Sequence, residues 1–588
     1  MRRIILFITI CLFFFPTTVK ASVFYVRTDG GTGTECTGLA DAAYDGDGTG
    51  EACAFSHPFY ALGWCSNDNG DCYDNGTLGN GDTLIVVNGS YNMGYSSSWS
   101  GCNSAFTYGC VSDQIPSNVT ITGCSSSGCG SSTRPILWAG GHALQILAVR
   151  DSSGVTIQDI ELTDHETCGN NHPTLICTSG EDSLNARDGI SADGASSLTL
   201  TNILIHGVYR YGIIGGSGSN LTMSNVELYG NAYAGFTNDT TGTCANCGIS
   251  GTNNISDLKI RYSGCVEEYP INGTLGSSNS IEEDGCWDQN ETGYGDGWGF
   301  AATGGIWNFT DCEFSYNSSD GLDAIYHNKS AYAGTSLITL KRCLGEGNVG
   351  AAFKLDNHSS IEDSIAIGNC SYLEGQDFSR STIVACRGGA TVGFEWHDEV
   401  TPYPKIINST ILSNMDVAIM GSGSDQTCTS SQEVYVYNSI LLGGYDHNDP
   451  GTLSGVYYVD PNCPATLVED YNVCYDFKDT NTYCTGVHDD LTDPLFDGTI
   501  KLNSENFPNY YTTEGYVNEI DLASNSPAID AADETVTGAD AYDYTEASRG
   551  ASWDIGAIEY GSTLDEEEED DTPTISGGCA ISSGVGFE

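Results

Sequence analysis

Val155-Thr-Ile-Gln-Asp-Ile-Glu-Leu162 and Leu198-Thr-Leu-Thr-Asn-Ile-Leu-Ile205 decide the fold. Both are β-branched and alternate with a two-residue period, the pattern of a strand with one buried face. Thr83-Leu-Ile-Val-Val87 and Val119-Thr-Ile-Thr122 repeat it upstream, and almost nothing in the chain has helical period. Working outward, a Gly- or Ala-plus-apolar landmark recurs at Gly189-Ile190, Gly212-Ile213, Gly235-Phe236, Gly297-Trp298, Gly321-Leu322, Ala352-Phe353, Gly393-Phe394 and Ala418-Ile419. The steps are 23, 23, 62, 24, 31, 41 and 25 residues, so a coil of 23 to 25 residues carries loop insertions at intervals. Asn lies four residues before the landmark at Asn231, Asn317, Asn348 and Asn414, where an inward turn residue can stack on its copies. A period of this size with short strands predicts an all-β, right-handed parallel β-helix, each coil burying its apolar row on its neighbours. A β-sandwich array needs antiparallel hairpins and predicts no fixed 23-residue step.

Five segments follow. Residues 1–21 read as a secretory signal peptide: Arg2-Arg3, an apolar run Ile4–Phe15, and Val19-Lys20-Ala21 before Ser22. Residues 22–81 are rich in Gly, Asp, Asn and Cys and read as an N-terminal cap over the open edge. Residues 82–460 are the β-helix, 461–562 a C-terminal β region, and 563–588 an acidic linker and tail containing Leu564-Asp-Glu-Glu-Glu-Glu-Asp-Asp571. No later apolar stretch is long enough to span a bilayer. Removing Cys11 with the leader leaves 23 cysteines, which in an exported chain predict disulfides rather than metal sites. Spacings such as Cys65–Cys72, Cys102–Cys110, Cys124–Cys129 and Cys168–Cys177 read as loop staples, and so does Cys244–Cys247. Asp45-Gly-Asp-Gly48 and Asn67-Asp-Asn-Gly-Asp71 read as Asx turns, because the EF-hand position that needs Glu is Ser56.

The chain has 78 Asp+Glu against 20 Lys+Arg, a formal charge of −58. Nucleic acid and anionic membrane surfaces attract Lys and Arg, so this balance argues against both as partners. The 39% hydrophobic and 10% aromatic content argues against disorder.

Aligning coils on the landmark turns residues into columns. Asp188, Asp296 and Asp320 stand one position before it; Gly299, Asp323, Lys354 and Glu395 stand two after it. With Leu322, Phe353 and Phe394 turned inward, alternation puts Asp323, Lys354 and Glu395 on the outer face. Asp296, Asp320 and Asp323 then converge on one patch, with Lys354 one coil further on. Clustered carboxylates repel unless a cation or proton is shared, and an all-oxygen donor set suits a hard cation such as Ca²⁺.

The coil repeat resembles the pectate-lyase type of parallel β-helix. Gly295-Asp-Gly-Trp-Gly-Phe300, Tyr316-Asn-Ser-Ser-Asp-Gly-Leu-Asp-Ala-Ile325 and Gly350-Ala-Ala-Phe-Lys-Leu355, followed by Asp363-Ser-Ile-Ala-Ile-Gly-Asn369, resemble three coils of the family 9 pectate lyases. The resemblance implies Asp296, Asp320 and Asp323 as Ca²⁺ ligands and Lys354 as the catalytic base. The family motif has a further Asp where this chain has Ser319. The implied reaction is β-elimination from a uronate-containing polysaccharide, with Lys329, Lys341 and Arg342 as the nearest cations to bind a sugar carboxylate. Asp493-Pro-Leu-Phe496, Ser526-Pro-Ala-Ile-Asp-Ala531 and Trp553-Asp-Ile-Gly-Ala-Ile-Glu-Tyr560 resemble the closing segment of choice-of-anchor β-helix proteins. That resemblance implies an extracellular or cell-surface protein, with Cys579 in the tail as a candidate for covalent or lipid attachment. Polygalacturonase-type hydrolysis is disfavoured, since the Asn-Thr-Asp, Gly-His-Gly and Arg-Ile-Lys strings are absent.

The second function class is a non-catalytic adhesin, structural rod or glycan-binding β-helix, its 33 Tyr and 8 Trp stacking on sugar rings where exposed. The Lys354 column separates the two. An outward Lys354 beside the aspartates favours the lyase; a face covered by an insertion such as Ser371–Gly389, or a Lys354 paired elsewhere, favours the adhesin.

Overall fold

The computed structural model describes residues 21–65, 72–74, 76–94, 111–123, 134–139, 143–164, 186–238, 248–264, 295–300, 303–327, 337–369, 389–396, 403–423, 432–444, 452–497, 520–536 and 541–562. Across them the chain is a parallel β-helix. One face is a ten-stranded parallel sheet running coil by coil through Ala143–Ala148, Ala186–Ser191, Tyr211–Ile214, Ala234–Thr237, Trp298–Gly299, Leu322–Asp323, Phe353–Asp356, Ala390–Glu395, Val417–Ser422 and Gly455–Val459. A 21-stranded sheet forms the remaining walls, its strands also parallel. Successive parallel strands joined by crossovers take the right-handed sense.

The landmark column is the spine of the core. Ile190, Ile213, Phe236, Trp298, Leu322 and Phe353 are register partners in successive coils and all are buried. The next member is Val392 rather than Phe394, which pairs with Leu355. Counting from the Gly-Phe pair therefore misplaces that coil by two residues: Gly393 is the partner of Lys354, and Glu395 is the partner of Asp356. Two residues preserve the face, so only the neighbours change.

Of the asparagines before the landmark, Asn317 and Asn348 stack on one another. Asn348 Oδ1 accepts from Asn317 N–H (3.0 Å) and from Asn317 Nδ2 (2.8 Å), while Asn348 Nδ2 donates to Phe314 O at 2.8 Å. Asn317 Oδ1 accepts the Ser263 N–H at 2.9 Å, and Asn369 accepts the Gly347 N–H at 2.6 Å. Each side chain satisfies main-chain groups that the turn would otherwise bury unpaired.

Simple alternation misses one feature. Asp159, Asn202, Asn225, Asp257, Asp311, Arg342, Asp363, Asn408 and Asn438 all have φ between 47° and 56°. The residues on either side of Asp159 show the effect: Ile157 and Ile160 both face inward. The left-handed residue resets the period and bends each coil, and Asn and Asp tolerate that conformation best. Arg342 is the exception in the column, held by Asp311 at 2.6 and 2.8 Å.

The long sheet begins at Val23–Gly31, paired with Thr83–Val86, so the segment read as a cap supplies the first strand. It ends at Ala465–Asp470 and Val473–Tyr475, just past the expected boundary. Residues beyond dock on the flank: Ile520, Ala557 and Ile558 pack on Leu344, Ile365, Leu412 and Leu442, and Leu522, Ala528 and Ile555 on Ile440 and Val473. Buried Arg549 ties this segment to Asp363 of the coils (2.9 Å) and pairs within the segment with Glu559 (2.5 Å).

Cys36–Cys53 and Cys474–Cys484 are disulfides, and Cys65 and Cys463 are also disulfide-bonded. Cys312 and Cys343 correct the general expectation of pairing. Both are free thiols inside the coil stack, with Cys343 N–H bonded to Ser364 Oγ in the next coil. The Asx turn at Asp45 is present, Asp47 N–H bonding Asp45 Oδ1 at 3.1 Å. The leader, the staples Cys102–Cys110, Cys124–Cys129 and Cys168–Cys177, the pair Cys244–Cys247, the Asn67–Asp71 turn, the acidic tail and Cys579 lie outside the described residues. Among the described residues no helix is long and apolar enough to cross a membrane.

Candidate metal centre and active site

Three consecutive coils of the ten-stranded sheet bring the aspartates together. Asp296 precedes Trp298–Gly299, Asp320 precedes Leu322–Asp323, and Lys354 lies on Phe353–Asp356. Asp323 and Lys354 are register partners, so alternation turns both outward from the buried Leu322 and Phe353. In that column Gly299 precedes Asp323 and Gly393 follows Lys354, which leaves room on both sides of the pair.

Main-chain N–H groups hold each carboxylate. Asp296 Oδ1 accepts from Asp320 N–H at 3.0 Å, Asp320 Oδ1 from Ala351 N–H at 2.6 Å, and Asp323 Oδ1 from Ile325 N–H at 3.3 Å. Gly350 makes the second contact achievable, because a Cβ there would lie 2.1 Å from Asp320 Oδ1. Gly295, at φ 119°, carries the chain into the first aspartate, a conformation that favours glycine. One ligand oxygen from each of Asp296, Asp320 and Asp323 falls within 4.8 Å of the others.

Lys354 Nζ lies 2.8 Å from Asp323 Oδ2 and 3.3 Å from Asp320 Oδ2. Its side chain keeps 20% exposure while that of Asp320 keeps 2%, so the amine lies at the solvent edge of the cluster. Burial raises the pKa of Asp296 to about 7, helped by repulsion from Asp323 and Asp320. Burial also raises that of Asp323, against the pull of Lys354. Ser319 donates to Asp296, so this residue supports a carboxylate of the cluster instead of adding one.

An all-oxygen set in which the pKa values of Asp296 and Asp323 are raised by burial is what a hard cation would stabilise, and main-chain anchoring fixes the geometry beforehand. The residues fit Ca²⁺. Asp188 sits in the same column further back, buried and paired with Arg187 at 2.9 Å, and takes no part. Lys341 and Arg342 are not brought to the site. Lys341 belongs to the other sheet, opposite Thr310 and Glu362, and Arg342 binds Asp311 and Glu546. Lys329 and nearly all of the Ser371–Gly389 insertion lie outside the described residues.

No family model matches the chain, and no curated protein matches it. Among solved structures it is similar to pectate lyase Pel9A, at 13% identity and a TM-score of 0.37 over 92% of this chain and 98% of that one. It is also similar to an alginate lyase from Paenibacillus sp. str. FPU-7, at 11% identity and 0.30 over 67% and 93%. The A-module of the mannuronan C-5 epimerase AlgE4 from Azotobacter vinelandii matches at 12% and 0.30, over 70% and 91%. Likenesses this distant carry no argument about chemistry; the fold rests on the strand register itself.

Proposed function

We propose that this β-helix is a secreted, Ca²⁺-dependent polysaccharide lyase acting on a uronate-containing glycan by β-elimination. The observation that carries the reading is Lys354 held against Asp320 and Asp323, on the outer face of the coils that also present Asp296. Asp296, Asp320 and Asp323 would hold the cation. When bound there, Ca²⁺ would neutralise a uronate carboxylate and acidify the C5 proton. Lys354 Nζ, in its neutral form, takes that proton. The C5–H electron pair becomes the C4=C5 double bond as the C4–O bond breaks, and water protonates the departing oxygen. Asp320 and Asp323 stabilise Lys354 as ammonium through these two contacts, and with those oxygens committed to the cation the amine would be released towards its neutral form.

The charge of −58 repels a polyanion, but salt screens that field beyond about 8 Å, so cations at the site decide binding. The leader and the disulfides Cys36–Cys53 and Cys474–Cys484 support an extracellular location. The choice-of-anchor resemblance extends the proposal to cell-surface attachment through the C-terminal tail.

The double ion pair of Lys354 also favours a second reading, in which the cluster is a structural salt-bridge network on a glycan-binding rod that cleaves nothing. Ultraviolet absorbance of the protein with polygalacturonate, alginate and related uronans separates the two. A rise that needs Ca²⁺, stops with chelator and vanishes in Lys354→Ala establishes the lyase. A flat trace across the uronans with Ca²⁺ present overturns it in favour of the rod.

A further inference from the structure

The same sheet edge that carries Ser319 carries two arginines further back. Arg210 N–H bonds Arg187 O at 2.8 Å, Tyr233 N–H bonds Arg210 O at 2.8 Å, Gly295 N–H bonds Tyr233 O at 2.7 Å, and Ser319 N–H bonds Gly295 O at 3.1 Å. Arg187, Arg210, Tyr233, Gly295 and Ser319 therefore form one column. Arg210 stands two coils before the Asp296 coil, about 10 Å along the axis at ordinary strand spacing.

Arg210 is built into an aromatic setting. Its Cζ lies 4.7 Å from the Tyr211 ring centroid and 5.3 Å from that of Tyr233. One guanidinium nitrogen, Nη2, donates to Tyr211 Oη at 3.2 Å, while Nε is buried with no hydrogen-bond partner among the described residues. Tyr209 packs 6.1 Å from Tyr233, and Tyr209, Arg210 and Tyr233 all remain partly exposed. The neighbouring Asp188 is bonded to Arg187. Arg187 and Arg210 both face the buried Asp188, and buried Asp164 accepts the Ala186 N–H beside them, so two of the chain's 20 basic residues gather at this edge. A partly exposed guanidinium flanked by aromatic faces suits a carboxylate on a sugar ring, through charge-assisted hydrogen bonds and stacking.

We propose that Arg210 is the carboxylate receptor of an acidic-sugar subsite two coils N-terminal to the aspartate cluster, with Tyr209 and Tyr233 as its stacking surfaces. The subsite rests on the acidic-glycan reading above and gives the bound sugar chain a direction: a uronan lies across the coils and extends from Lys354 towards Arg210. Arg210 is a binding residue and does not touch the reacting atoms.

The test uses the full chain carrying Lys354→Ala, titrated calorimetrically with oligogalacturonides and oligomannuronides and with their carboxyl-reduced, neutral counterparts. Arg210→Gln is expected to raise the Kd for an acidic oligomer about 10-fold or more, the loss of one charge-assisted contact, while leaving the neutral one unchanged. Arg210→Lys recovers part of the loss, and carries the test if Arg210→Gln fails to fold. In the otherwise native protein, Arg210→Gln raises KM with little change in kcat. Equal Kd values with and without Arg210, equal losses for acidic and neutral oligomers, or no binding of any acidic oligomer overturn the subsite. The lyase reading fails separately, when Arg210-dependent binding of acidic oligomers persists but wild type yields no unsaturated product.

Discussion

Lys354 Nζ lies 2.8 Å from Asp323 Oδ2, and the two residues are register partners in adjacent coils of one sheet. A cation on the aspartates therefore competes with the ammonium for the same oxygens. Lys354→Met is expected to lower β-elimination at least about 100-fold, the ordinary cost of losing a positioned base. It should also enlarge the rise in melting temperature that Ca²⁺ produces over chelator, since three carboxylates are left uncompensated. Thermal unfolding with and without Ca²⁺ checks this, and an unchanged increment counts against the shared site.

Ser319 is buried within this cluster and donates to Asp296. Ser319→Asp adds a fourth carboxylate and is expected to tighten Ca²⁺ binding about 10-fold, because ligand charge sets affinity in oxygen sites. Calorimetry with the metal alone reads it directly.

Asn348 bonds both Asn317 and Phe314 inside the stack. Asn348→Ala leaves the Asn317 N–H buried and unsatisfied, at a cost of about 1–3 kcal/mol. Urea unfolding should show a lower midpoint with an unchanged slope.

Burial lowers the pKa of His57 to about 4. The ring accepts the Phe59 N–H at Nδ1 (3.1 Å), so Nε2 carries the proton and donates to Asn92 O at 2.8 Å. The folded state thus binds fewer protons than the unfolded state between about 6.5 and 4. Stability from this group is full above about pH 6.5 and is lost as pH falls towards 4. Unfolding of wild type and His57→Gln across that range should show a steeper acid loss in wild type.

Arg549 anchors the flanking C-terminal segment by its ion pair with fully buried Asp363. Arg549→Met strands that carboxylate, a change that costs about 3–5 kcal/mol in buried pairs. Limited proteolysis should then cut within 520–562 while the coil stack stays intact; resistance equal to wild type would show that the apolar contacts suffice alone.

The β-helix was legible in the sequence because a coil buries its apolar row only on its neighbours, so the inward positions must recur at the coil period. Val155–Leu162, the Gly-plus-apolar landmarks and the Asn ladder all carry that signal. Asp296, Asp320, Asp323 and Lys354 were legible too, since short range within each coil plus a fixed step defines a column. Insertions broke the count at one coil, where Val392 rather than Phe394 takes the core position, and only hydrogen-bonded register resolves that. The left-handed bend at Asp159, Asn202 and Asp311 was hidden because one conformational reset looks like ordinary alternation on either side. Lys341 and Arg342 are near Lys354 in sequence but lie on another wall, and Arg210 is 144 residues away yet on the same face. Sequence repeats determine which residues stack. Which walls they share, and which charges meet, is decided by where each coil bends.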